Sequence, residues 1–172
     1  MTRRFLTSLG LAALLAGCAT APPAPPTPAG PPPPTDAEVV EAVRAAGIDG
    51  AELVVRPFID PHAKDLRLAA AAAEAAGRLD EAEARLYEAL GVTPDDPDLL
   101  QWRAEIALLR GEHAAAEALA KRSIALGPKS GPLCRRNWTL LGFLREGRGE
   151  VENARSARAM VERCTIAPPV RM

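Results

Sequence analysis

The sequence predicts an all-α fold, a solenoid of about three helical hairpins with an N-terminal capping helix, and three observations predict it. From Ala63 onward the chain is rich in Ala and Leu, with glycine and proline recurring at intervals. Gly77 and Gly111 are 34 residues apart, and so are Ala82 and Ala116, and Pro94 and Pro128. The one stretch with strand-like content is Ala51 to Ile59, AELVVRPFI. Pro57 confines that stretch to an edge or an extended crossing segment, because proline cannot donate to a ladder, so no true sheet is expected. A fixed period of this length marks a unit that cannot bury its apolar face alone and must stack on copies of itself.

Met1-Thr2-Arg3-Arg4 is basic, and Phe5 to Leu15 is an apolar run of 11 residues. That run is too short to cross a bilayer, which needs about 20 residues, but suits the middle of an export signal. Leu15-Ala16-Gly17-Cys18 follows and resembles the lipobox of bacterial lipoproteins. The resemblance implies a signal peptide over residues 1–17 and Cys18 acylated, palmitate included, as the first residue of the mature chain. Several acyl chains would hold it stably where one alone is marginal. Ala19 rather than Asp after the cysteine implies, by the sorting rule of such lipoproteins, the outer membrane facing the periplasm. Pro22 to Pro34 holds nine of the chain's 17 prolines. Residues 18–35 are therefore read as lipid anchor and linker, in which a polyproline II tract of about 15 residues reaches about 45 Å.

Residues 36–62 are expected to form a short helix and an extended segment. Thr35-Asp36-Ala37-Glu38 is a capping-box pattern, Val39, Val40 and Val43 give a small apolar face, and Gly47 is the expected end. This helix is expected to cap the first repeat, since solenoid ends need covering. Asp60-Pro61 reads as the N-cap and first position of the next helix.

Residues 63–96 and 97–130 resemble two tetratricopeptide repeats. Gly77 and Gly111 sit at the turns, Ala82 and Ala116 at the close crossings, and Pro94 and Pro128 at the ends. A third unit over residues 135–168 is offset by four, with Trp138, Leu141 and Gly142 in the family's W-x-x-L-G pattern, Gly149 at the turn and Ala154 at the crossing. Arg103, Arg145 and Arg158 depart from positions the family makes apolar or aromatic. The remaining residues 169–172 are a tail.

Cys134 and Cys164 each lie 15 residues from Gly149. In an antiparallel pair turning there they would face each other, so an oxidising periplasm is expected to join them, the other possibility being two buried thiols. The resemblance implies a groove lined by the first helix of each repeat. By register, Arg67 (with Lys64, Ala71 and Glu74), Gln101, Glu105, Leu108, Leu109, Arg136 and Phe143 (with Thr139) would line it. Leu108, Leu109 and Phe143 would form an apolar floor inside a charged rim, fit for an extended peptide or a partner's loop.

Other functions are disfavoured. Without residues 1–17 the chain has 19 basic and 22 acidic residues, a net charge of −3, and aromatics are 3%. Nothing supplies the charge that nucleic acid requires. His62 and His113 belong to no metal-spaced cluster, Ser123 reads as packing, and no Gly-rich phosphate loop exists. No enzyme activity, metal or cofactor is expected. The layout of anchor, spacer and small repeat domain looks like the outer-membrane lipoproteins that activate bifunctional penicillin-binding proteins, some of which carry such a domain. That implies an adaptor or activator of a cell-wall synthase. A pilotin or other assembly factor, or a structural lipoprotein without an enzyme partner, remains an alternative.

Overall fold

The computed structural model describes residues 32–48 and 59–165. The expected signal, Cys18, most of the proline tract, the Ala51–Phe58 stretch and the tail lie outside them. Among the described residues are seven helices and no strand: α1 (Asp36–Ile48), α2 (Pro61–Ala75), α3 (Leu79–Val92), α4 (Pro97–Leu109), α5 (His113–Leu126), α6 (Pro132–Gly147) and α7 (Val151–Arg163). None is long and apolar enough to cross a membrane. Helices α2–α3, α4–α5 and α6–α7 pair as three hairpins that stack in order, as the 34-residue period predicts.

Each hairpin closes by the same turn. Gly77, Gly111 and Gly149 adopt φ of 72°, 74° and 73°, the left-handed region that other residues enter only with strain. At each, the glycine N–H and the next N–H reach back to carbonyls of the preceding helix. At the first turn these are Gly77 N–H to Glu74 O (2.8 Å) and Arg78 N–H to Ala73 O (2.9 Å). This Schellman pattern satisfies carbonyls that the helix end would otherwise leave unpaired. The start of α2 is fixed as the sequence suggests, and α4 starts in the same way. Asp60 accepts from the N–H of His62 at 2.8 Å, Asp96 from that of Asp98 at 2.9 Å, and each is followed by a proline at the first helical position.

Two apolar clusters hold the stack. One joins Leu66, Ala70 and Ala73 of α2, Ala82, Leu86 and Ala89 of α3, and Leu99, Leu100 and Ile106 of α4. The other joins Ala104, Ala107 and Leu108 of α4, Ala116 and Ala120 of α5, Leu140, Leu141 and Leu144 of α6, and Ala157 of α7. Ala82, Ala116 and Ala154 are buried where paired helices cross, a separation that only a small side chain permits. Arg103, standing where an apolar residue is usual, is accommodated by pairing rather than packing: it clasps Glu83 of α3 and lies 5.2 Å over the ring of Tyr87. Ser123 is buried and donates to Pro97 O at 2.7 Å, which ties α5 to the start of α4.

The third hairpin has two ties of its own. Cys134, near the start of α6, and Cys164, just past α7, are joined as a disulfide with 5.6 Å between their Cα atoms. Beside it the Gly131 N–H donates to Cys164 O at 2.7 Å.

Helix α1 begins with the reciprocal capping box: Thr35 N–H to Glu38 Oε2 at 2.7 Å and Glu38 N–H to Thr35 Oγ1 at 3.3 Å. Its position differs from the expectation. It packs on α6 and α4, the first helices of the third and second repeats, and does not lie along the outer side of α2. The reason is apolar surface. Val39, Val40 and Val43 join the cluster that holds Leu108, Leu140, Leu141 and Leu144. The outward face of α2 offers mostly alanine, with Leu68 left 61% exposed. Gly47 also differs from its reading as a terminator. It lies within the last turn of α1, and a Cβ there would come within 2.8 Å of the Arg136 side chain. Glycine at 47 lets α1 close onto α6.

Candidate functional site

The face made by the first helices is where the groove was expected, and α1 lies in it. The polar part of this face is organised around Glu105 of α4, whose side chain is fully buried. Its Oε1 accepts from Arg136 Nη2 at 2.6 Å and Nε at 3.0 Å, and from Gln101 Nε2 at 3.1 Å. Its Oε2 accepts from Arg44 Nε of α1 at 2.9 Å. A charge buried this completely is tolerated only when its lone pairs are taken up, and here two guanidiniums and an amide take them.

The pairing runs outward in both directions. Arg44 Nη2 also donates to Glu74 of α2 at 2.7 Å, and the other Glu74 oxygen accepts from Trp102 Nε1 at 2.8 Å. Arg136 reaches Asp98 at 3.2 Å, and Asp98 accepts from Arg67 at 2.9 Å. Arg67 ends the run on Asp96 at 2.6 Å, the same carboxylate that caps α4. Burial works against the charge of Arg44, but hydrogen bonds and proximity to Glu105 and Glu74 outweigh it, and its pKa lies above the ordinary value. Arg67 is raised in the same way, burial being outweighed by Asp98 and Asp96. Both guanidiniums stay charged, and the run ties α1, α2, α4 and α6 together. A cleft of 420 Å³ remains at the C-terminal end of α1, bounded by Ile48, Trp102, Pro132 and the paired side chains of Arg44, Glu74 and Arg136.

Against this geometry the expected groove residues divide. Gln101, Glu105 and Arg136 are brought together as partners of one another and of Arg44, and Arg67 joins them through Asp98, which it shares with Arg136. Gln101, Glu105 and Leu108 are buried rather than lining an open groove, Glu105 being reached by Arg44 of α1 and Leu108 packed with the α1 valines. Leu109 is partly buried between the two apolar clusters, and Phe143 packs against the second, so neither forms an exposed floor with Leu108. Lys64 and Ala71 are exposed, Thr139 is half-buried, and Cys18 lies outside the described residues. Sequence reasoning passed over Arg44. Its signal was present: a single cation placed one residue after Val43, on a helix whose three valines cannot be buried without a second surface.

His113 does not stand in a metal cluster. Its Nε2 lies 3.0 Å from Asp36 at the start of α1, and among the described residues no group of three metal-ligating side chains occurs.

Two comparisons bear on kinship. The tetratricopeptide-repeat family model matches residues 73–136, from the first turn into α6. Among solved structures, the globular C-terminal domain of P. aeruginosa LpoP matches with a TM-score of 0.56 and 27% sequence identity, over 61% of this chain and 99% of that one. No curated protein matches the sequence. The described helices form an all-α repeat solenoid that matches the tetratricopeptide-repeat family model over residues 73–136 and is similar in fold to the globular C-terminal domain of P. aeruginosa LpoP.

Proposed function

We propose that the protein is an outer-membrane-anchored, periplasmic interaction module, with Cys18 acylated, that acts as an adaptor or activator of a cell-wall synthase of the penicillin-binding class. One observation carries the reading: the repeat domain aligns over 99% of the globular C-terminal domain of LpoP. Its support is the order of the chain, in which an L-A-G-C sequence and a proline tract of semi-rigid spacer composition precede that domain. A tetratricopeptide fold supplies surface for another protein and no reacting group of its own, so the role is binding rather than catalysis. In this reading the tract carries the domain away from the outer membrane towards a synthase rooted in the inner one.

Co-purification tests it. The chain should be recovered with a bifunctional penicillin-binding protein and should raise its rate of glycan polymerisation. No recovery together with no change in polymerisation would sink the proposal. Membrane fractionation checks the anchor: Cys18→Ala should leave the precursor unlipidated and out of the outer-membrane fraction.

A further inference from the structure

We draw no further inference here: the strongest candidate, the cleft of 420 Å³ at the C-terminal end of α1 between Ile48, Trp102 and Pro132, belongs to the site already described, and nothing in the structure shows what covers it.

Discussion

The first and third hairpins have the same turn and the same crossing alanine, yet they are held by different means. In α2–α3 the second helix buries Ala82, Leu86, Ala89 and Leu90 and continues the apolar cluster into α4. In α6–α7 the last helix buries only Ala154 and Ala157 along its length, with Cys164 at its end. The outward sides of α7 carry Arg155, Arg158 and Arg163. What apolar packing does for the first hairpin, a covalent bond, the Gly131–Cys164 hydrogen bond and the cover of α1 on α6 do for the third. A repeat protein is a line of nearest neighbours, so an end unit lacks one interface and must be secured by something else. The two ends here solve that separately.

The largest effect is expected from Leu86→Ala in the first hairpin. Leu86 is fully buried, and the truncation should cost about 4 kcal/mol and lower the midpoint of denaturant unfolding for the whole domain. A change confined to the third hairpin would contradict the division of labour. Next is loss of the clamp by Cys164→Ala. For a separation of 30 residues the loop-closure picture gives about 3–4 kcal/mol. Hydrogen exchange should show α7 fraying while α2 and α3 keep their protection; equal loss in all three hairpins would show that the ends are not independent.

Val43→Ala is expected to cost about 2 kcal/mol, felt in α1 and α6 rather than in α2. Thermal melts with exchange mapping check it, and an undisturbed α6 would count against the packing described here.

The smallest effect concerns pH. A hydrogen bond from Lys121 holds the Glu117 carboxyl below its usual range; partial burial opposes this and Arg148, at the turn of the third hairpin, adds to it. A carboxyl depressed in the folded state stabilises above its unfolded value of 4.5, and that contribution is lost as pH falls through the folded pKa. Melting temperature should drop between pH 5 and pH 3, and Glu117→Gln should flatten part of that slope. Pairs of this kind contribute about 0.2–1 kcal/mol, so an unchanged slope would assign the drop to the other lowered carboxyls, Glu38, Glu81 and Glu150.

The hairpins were legible because their determinants are local. Gly77, Gly111 and Gly149 each fix a turn, and the alanine five residues later fixes a crossing, whatever else the chain contains. The capping box at Thr35 likewise declared the start of α1. The seat of α1 was not legible. Amphipathicity says that Val39, Val40 and Val43 must be covered, but which surface covers them depends on Glu105 and Arg136, some 60 and 90 residues away. The groove residues suffered from the same gap. Register placed Glu105 and Arg136 on the proper helices, while nothing local to Leu109 or Phe143 tells that they turn towards the clusters. Charges that face a groove in the abstract here neutralise one another.

The proline tract runs into α1 before it reaches any repeat, and this order has a mechanical meaning. Tension applied to the chain ahead of Thr35 arrives first at the valine seat and at Arg44, while the Cys134–Cys164 bond lies beyond them in the chain. The thirteen residues of α1 measure roughly 20 Å as a helix and about 45 Å when drawn out. A chain pulled ahead of Thr35 can therefore lengthen by about 25 Å by releasing α1, with the three hairpins left whole.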